Sequence, residues 1–133
     1  MIYALDTNTV IHHLRNDANV RSKFDDACLQ GHEIAIPKIV DYEMRRGFRI
    51  SSAQKKVVAY DILIEELSIT DLDNATWQKA EEIYADLYQK HFTVGDMDIL
   101  IAAICLVNDY TLVTANTNDF INISSLKMVD WTI

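Results

Sequence analysis

The amino-terminal stretch constrains the fold of this chain most strongly. Residues Ile2 to Leu5 are apolar and uncharged, and the carboxylate of Asp6 follows them directly. A short apolar run without polar alternation predicts a strand that is buried on both faces, as in a parallel sheet. In open α/β sheets, ligands bind beyond the carboxyl ends of the strands. Asp6 is therefore a candidate site residue, although aspartate is also a favoured N-cap for a following helix.

Helical patterns and short apolar runs alternate along the rest of the chain. The predicted strands cover residues 2–5, 33–36, 68–72, 111–113 and 128–131. The predicted helices cover residues 7–15, 52–67 and 96–107, with one capped by Asp17 that ends near 30, one beginning at Pro37 and one capped by Asp73. Residues 116–120 form a polar turn or short helix. Strands that alternate with helices indicate a single α/β domain over residues 1–133, with a central parallel sheet and helices on both faces.

The composition fits one packed domain. Half of the residues are hydrophobic, and the chain has one proline and three glycines, which leaves little material for a linker. No apolar run is long enough to span a bilayer, and the amino terminus has no signal-peptide pattern, so we expect a cytoplasmic protein without a membrane partner. Cys28 and Cys105 lie in apolar helical patterns, which predicts reduced core thiols.

The charge distribution is uneven. A net charge of −8 argues against a nucleic-acid partner. However, residues 38–56 contain six basic residues and only two acidic ones. The basic residues are Lys38, Arg45, Arg46, Arg49, Lys55 and Lys56. They predict a local basic surface on an acidic protein, and a solvated helix face is the alternative interpretation.

Four acidic residues are predicted at comparable places in the fold. Asp6 ends the first strand, Asp98 begins a buried helix, Asp119 follows the strand 111–113, and Glu43 borders the apolar stripe of the third helix. Four carboxylates in one crevice would repel one another, so they require a cation. Mg²⁺ and Mn²⁺ prefer such oxygen ligands. This chemistry is suited to phosphodiester hydrolysis by a metal-activated water.

The sequence resembles the PIN-domain ribonucleases, and among them the VapC-type toxins of toxin-antitoxin pairs. Four motifs carry the resemblance: Leu5-Asp6-Thr7-Asn8, Glu43 with Gly47, the stretch 98–103 and the stretch 113–120. It implies that Asp6, Glu43, Asp98 and Asp119 hold Mg²⁺ or Mn²⁺, and that Thr7, Asn8, Thr114 and Asn116 shape the pocket. It also implies cleavage of RNA, often tRNA, inhibition by a cognate antitoxin, and a homodimer.

Several finer assignments follow. Lys38, Arg45, Arg46 and Arg49 are predicted to receive the RNA backbone. Asp96 and Asp98 are two positions apart on a helix and cannot share one face, so Asp96 is predicted to be the N-cap and Asp98 the ligand. The four histidines are predicted to lie on the surface, and Trp77 and the tyrosines of the fifth helix to pack partly into the core.

Two other classes of protein remain open at this point. The start Asp6-Thr7-Asn8 is similar to that of haloacid-dehalogenase-type phosphatases, but those need a second acid where this chain has Asn8, and a lysine after the later strand, which is missing near Thr114. A non-catalytic interaction module would leave four carboxylates at the rim of the sheet unexplained. A requirement for a divalent metal separates the enzymes from the module.

Overall fold

The computed structural model describes residues 1–133 and contains five strands and seven helices. The strands are β1 (Ile2–Leu5), β2 (Glu33–Pro37), β3 (Ser68–Thr70), β4 (Thr111–Val113) and β5 (Met128–Val129). The helices are α1 (Thr7–Leu14), α2 (Ala18–Leu29), α3 (Lys38–Ile50), α4 (Gln54–Glu65), α5 (Asn74–Gln89), α6 (Asp96–Asn108) and α7 (Thr117–Phe120). The predicted α/β architecture is confirmed, although β3, β5, α1 and α4 end one or two residues earlier than the sequence predicts and α4 also begins two residues later.

All strands are parallel and lie in the order β3-β2-β1-β4-β5. Ala4 of β1 is in register with Ala35 of β2 on one side and with Leu112 of β4 on the other. The chain builds β2 and β3 to one side of β1 and then returns to add β4 and β5 on the opposite side. The strand order therefore reverses between β1 and β4, which is the place where open α/β sheets form a binding crevice.

The core consists of the central strands and α6. Leu5, Ile36 and Val113 are fully buried, and α6 buries all five residues from 101 to 105. A helix that is apolar on nearly every side must lie inside the domain. Helices α5 and α6 also pack more extensively than any other pair of helices. None of the helices is both long and apolar enough to cross a membrane.

Two of the three predicted helix caps are confirmed. The carboxylate of Asp17 accepts the backbone N–H of Val20 at 3.0 Å, and that of Asp73 accepts the N–H of Thr76 at 2.9 Å. The prediction for Asp96 is wrong, because Gly95 occupies the cap position and α6 begins at Asp96 itself. Asp96 makes no capping hydrogen bond, but its charge in the first turn is favourable near the helix amino end.

A buried ionic cluster joins α3 to α4. The carboxylate of Asp41, with 3% of the residue exposed, accepts a hydrogen bond from the Tyr60 hydroxyl at 2.8 Å. Arg45 Nε lies 3.1 Å and Lys38 Nζ 3.3 Å from the same carboxylate, and Arg45 also reaches Asp61 at 3.2 Å. Burial opposes ionisation of Asp41, but these hydrogen bonds and positive charges outweigh it and hold its pKa below the ordinary value. This network therefore fixes α3 against α4.

Two predictions about single side chains are wrong. Cys28 is exposed rather than buried, because the core-facing stripe of α2 ends at Ala27 and the next residue lies about 100° further around the helix. His13 is buried rather than exposed, and its ring packs 4.3 Å from that of Phe24. Burial, aided by the charge of Arg21, lowers the pKa of His13 to about 4, so its imidazole is neutral in the folded protein at neutral pH.

The aromatic residues of α5 are more exposed than predicted. Trp77, Tyr84 and Tyr88 have 50%, 56% and 71% of their surface exposed, and the rings of Tyr84 and Tyr88 stack 6.3 Å apart. Phe92, in the loop that follows, is 44% exposed. The core-facing side of α5 is provided instead by smaller aliphatic residues such as Ile83 and Leu87. The result is a surface strip of large aromatic side chains along α5.

Candidate active site at the carboxyl end of the sheet

Asp6 occupies the point where β1 passes into α1. Its Oδ1 caps α1 by accepting the backbone N–H of Thr9 at 2.8 Å, and its own N–H donates to the carbonyl of Val113 at 3.1 Å. The Thr9 hydroxyl donates to the same carbonyl at 3.0 Å. The capping interpretation of Asp6 is therefore correct, but it uses only one carboxylate oxygen. The other oxygen makes no hydrogen bond with the protein and can bind a ligand.

Glu43 reaches the same edge from α3. Its Oε1 accepts a hydrogen bond from the Thr7 hydroxyl at 2.8 Å, and its Oε2 lies 3.7 Å from Arg46 Nη2. Thr7 is the first residue of α1, so this hydrogen bond connects the residue that follows Asp6 with the third helix. Thr7 therefore orients the Glu43 carboxylate.

Asp98 lies in the first turn of α6 and is the acid most affected by its surroundings. Burial raises the pKa of the Asp98 carboxyl, and the negative charges of Asp119, Glu43 and Asp6 raise it further. These three neighbours are the other three acids predicted from the sequence. Four separate elements therefore bring their carboxylates close enough for three of them to act electrostatically on Asp98.

Asp119 is held by the turn after β4. The buried hydroxyl of Thr114 accepts the backbone N–H of Asn116 at 3.0 Å, and the N–H of Asp119 donates to the Asn116 carbonyl at 3.0 Å. Asp119 and Asp98 line a polar cleft of about 260 Å³. Thr114 thus shapes the turn that positions Asp119, whereas the exposed side chains of Asn116 and Asn8 make no hydrogen bond with the protein.

The residues present fit an open site for a hard divalent cation. The four carboxylates supply the oxygen ligands that Mg²⁺ and Mn²⁺ prefer. Burial and the negative charges of the other three acids raise the pKa of Asp98, and a bound cation would offset both effects. As they stand, no three acidic, histidine or cysteine side chains are arranged to hold an ion by themselves. Because Mg²⁺ keeps several waters and needs only one or two carboxylates, this spacing suits a hydrated ion better than a closed protein cage.

The basic residues of α3 divide between two sides of the helix. Arg45 and Lys38 are engaged with Asp41 on the side that faces α4. Two positions on a helix are about 200° apart, so Arg45 points away from Glu43. Arg46, three positions after Glu43, reaches that carboxylate, and Arg49 is exposed without an ion pair. Of the predicted RNA-binding residues, only Arg46 contacts the acidic site.

Sequence reasoning missed several residues around the site. A groove of about 240 Å³ runs from Thr7 and Glu43 between α1 and α3, and its lining includes Arg15, which was not predicted, together with Lys56 of the predicted basic surface. The cleft beside Asp98 and Asp119 is further lined by Phe92, Thr93, Val94, Gly95, Asn118 and Asn122. Asn118 falls within a motif already noted, so it carried a signal. Arg15 and Phe92 carried none, because their neighbours in the groove and the cleft come from distant parts of the chain.

Comparison with known proteins places this site in a family. The model of the PIN domain matches residues 3–126. The ribonuclease VapC2 of Rickettsia felis is 30% identical, and the alignment covers 98% of each chain. The tRNA(fMet)-specific endonuclease VapC of Salmonella typhimurium is 28% identical, with 97% of each chain covered. In the solved structure of VapBC2 from Rickettsia felis bound to a promoter DNA fragment, a chain with 28% identity superposes with a TM-score of 0.92 and covers 98% of this chain and 99% of that one.

These matches extend over nearly the whole chain and include every element that carries a candidate site residue. Nucleases with a PIN domain generally depend on a divalent metal ion, which is consistent with the open cluster of carboxylates found here. The resemblance inferred from the four sequence motifs is therefore confirmed. The chain belongs to the PIN-domain family, within its group of VapC-type ribonucleases.

Proposed function

We propose that this chain is an endoribonuclease of the cytoplasm that uses Mg²⁺ or Mn²⁺ to hydrolyse RNA, and that it acts as the toxin of a toxin-antitoxin pair. The observation that carries the proposal is the convergence of four carboxylates at the carboxyl end of the sheet, where Asp98 shares a cleft with Asp119 and is also acted on by the charges of Glu43 and Asp6. On an ordinary solvated surface acidic side chains are separated from one another, whereas here the partly buried carboxylate of Asp98 lies among three others. The names of the relatives, which are ribonucleases and a tRNA endonuclease, support the same reaction.

The residues of the chain divide the work at this site. The bound ion would activate a water for attack on the phosphodiester and stabilise the leaving oxygen. Asp6, Glu43, Asp98 and Asp119 are the proposed ligands. Thr7 fixes the orientation of Glu43 by its hydrogen bond, and Thr114 with Asn116 fixes the turn that presents Asp119. Asn8 and the Asn116 side chain are exposed at the same rim, where they can donate hydrogen bonds to the substrate.

We further propose tRNA as the substrate class. The relative from Salmonella typhimurium is a tRNA(fMet)-specific endonuclease, and its alignment covers the site in full. Arg46 contacts Glu43 at the acidic site, and the exposed Arg49 lies about one turn further along α3, so both can approach the RNA backbone, whereas Lys38 and Arg45 contribute positive charge from the α4 side. Phosphate contacts of this kind orient RNA without reading its sequence.

A cognate antitoxin is the proposed protein partner. The solved relatives at 28% and 26% identity are VapBC complexes. The groove between α1 and α3 offers apolar walls from Ile11, Leu14, Met44 and Phe48, and it ends at Glu43. An apolar segment of the antitoxin seated there would cover the active site. This arrangement is typical of helix-in-groove recognition.

We also propose a homodimer. Helices α3 and α4 also expose apolar side chains, such as Ile50, Val58 and Ile62, but most of the large exposed aromatic side chains lie on α5 or in the loop after it. Trp, Tyr and Phe are enriched in protein interfaces, so the strip from Trp77 to Phe92 is the better candidate surface. Light scattering should give twice 15.2 kDa. A mass of one chain at all concentrations would rule the dimer out.

The experiment that tests the proposed reaction is an RNA cleavage assay. Purified protein is incubated with tRNA in the presence of Mg²⁺ or Mn²⁺, and with the same ions plus excess chelator. We expect cleavage that the chelator abolishes. Asp119→Asn should lose at least about tenfold to a hundredfold in activity, as is usual when a metal site loses a ligand or its support.

Asp109→Asn is the matched control for this assay. Asp109 is an equally exposed aspartate that pairs with Lys127 at 2.8 Å, away from the site, so its variant should cleave as the wild type does. Cleavage that continues undiminished in excess chelator, or that survives in Asp119→Asn, would refute the proposed mechanism.

A further inference from the structure

Arg46 holds a unique place among the basic residues of this protein. Its guanidinium Nη2 lies 3.7 Å from Glu43 Oε2. No other lysine, arginine or histidine lies within ion-pair distance of any of the four candidate carboxylates, since every other ion pair of the chain is formed by acids outside the site. Arg46 is therefore the one basic residue that forms an ion pair with a candidate carboxylate of the site.

Both members of this pair are positioned by further contacts. Glu43 is fixed at its other oxygen by the Thr7 hydroxyl, at 2.8 Å. The guanidinium of Arg46 lies over the ring of Tyr42, 5.3 Å from its centroid. A cation over an aromatic face is weakly stabilised there, so Arg46 has a place to lie whether or not it contacts Glu43. Arg46 therefore contacts Glu43 and can stay in contact with the ring of Tyr42 when it leaves Glu43.

Both side chains of the pair between Arg46 and Glu43 are accessible to solvent. The Glu43 side chain is 21% exposed, whereas that of Arg46 is 52% exposed. Exposed ion pairs of this kind contribute little stability because solvent screens them and both side chains lose freedom. A divalent cation attracts the same carboxylate oxygen more strongly than a single, half-exposed guanidinium does. The arginine is therefore a counter-ion that a metal can replace.

We propose that Arg46 is a built-in counter-ion of the site, which partly neutralises Glu43 while no metal is bound and competes with the divalent ion for that carboxylate. This inference rests on the proposed function, because it takes Glu43 as a metal ligand. It makes Arg46 a positioning residue that lowers the metal affinity of the free protein. Binding of the ion releases Arg46 from Glu43, and the released guanidinium remains at the edge of the site, next to the substrate.

The test measures Mn²⁺ binding to the full chain in the absence of RNA, by titration calorimetry or by the electron paramagnetic resonance signal of free Mn²⁺. Arg46→Gln should bind Mn²⁺ about twofold to fivefold more tightly than the wild type, as the loss of an exposed ion pair allows. Arg46→Lys keeps a positive charge at this position and should return the affinity towards the wild-type value. A purely structural role in α3 would change thermal stability but not this affinity.

Lys79→Gln is the matched control, because Lys79 forms the same kind of helical pair, with Glu82 three residues on, far from the site. It removes the same amount of charge and should leave Mn²⁺ affinity unchanged. If Arg46→Gln binds Mn²⁺ as tightly as the wild type or more weakly, the inference about Arg46 is refuted, and the proposed function is unaffected. A wild-type protein that binds no Mn²⁺ would remove the proposed function and this inference with it.

Discussion

Asp98→Asn should lower RNA cleavage by about a hundredfold or more while the protein remains folded. Asparagine keeps the size of the side chain but removes the charge that a metal ligand needs. Asp98 is the acid on which the fields of Asp119, Glu43 and Asp6 converge. It also lines the cleft that contains Asp119. Its replacement should therefore remove the central ligand of the proposed site. The measurement is the rate of tRNA cleavage with saturating Mg²⁺, for variants whose circular dichroism spectra match that of the wild type.

Asp96→Asn is the matched control for Asp98→Asn. The two aspartates are separated by one residue in the same first turn of α6, so they experience the same helix field. Asp96, however, lines a different concavity, together with Trp77 and Tyr84 of α5. Asp96→Asn should therefore keep most of the activity. If Asp96→Asn were the inactive variant and Asp98→Asn the active one, the assignment of the ligand on α6 would be wrong.

Asp98→Asn should also stabilise the metal-free protein. The pKa of Asp98 is raised in the folded state, so ionisation of this group at neutral pH weakens folding. This destabilisation is absent below the ordinary pKa of an aspartate, and it develops as the pH rises through the folded-state pKa. The variant should have a higher melting temperature than the wild type at pH 7 in chelator, and the difference should disappear near pH 3.

Asp41→Ala should cost the fold about 3 kcal/mol or more, the second large effect that we expect. Asp41 is almost fully buried and binds Tyr60, Arg45 and Lys38. Its removal leaves a buried tyrosine hydroxyl without its partner, Lys38 without a counter-charge and Arg45 with only the exposed Asp61, which is the costly way to break such a network. Urea denaturation measures this loss as a lower midpoint at an unchanged slope.

The effect of Asp41 should depend on pH with a definite sign. Because the pKa of Asp41 is lowered in the folded protein, its stabilisation is present above the ordinary pKa and is lost as the pH falls through the folded-state value. The difference between wild type and Asp41→Ala should therefore shrink below about pH 4.

Asp61→Asn removes the exposed partner of Arg45 and should cost less than about 1 kcal/mol. Equal losses from both substitutions would contradict the buried-network account.

The sequence predicted the order of the elements because each signal was local. The uncharged run before Asp6 and the apolar helix after Asp98 are properties of neighbouring residues, and parallel strands bring their carboxyl ends to one edge by geometry alone. Hence Asp6, Asp98 and Asp119 were placed at that edge from local patterns. The approach of Glu43 depends on the rotation of α3, which the Asp41 network and the Thr7 hydrogen bond fix and which no local pattern shows.

The remaining features depend on contacts between distant segments. Arg45 and Arg46 are adjacent in sequence, yet one binds Asp41 and Asp61 and the other binds Glu43. No pattern within α3 could show that Asp61 of α4 would draw Arg45 away from the site. His13 is buried because its helix packs beside Phe24 of α2, and such packing is visible only in three dimensions. Gly95 rather than Asp96 is the N-cap, because α6 begins one residue earlier than the composition of the preceding loop indicates.

The central claim is that the junction of β1 with α1, the helices α3 and α6, and the short helix α7 build one metal site. The most direct test is anomalous X-ray scattering from crystals of the wild-type protein soaked in Mn²⁺. The account predicts a manganese peak bounded by the carboxylates of Asp6, Glu43, Asp98 and Asp119, and its loss in Asp98→Asn. A manganese peak elsewhere on the protein, or none at this cluster under conditions that support RNA cleavage, would contradict it.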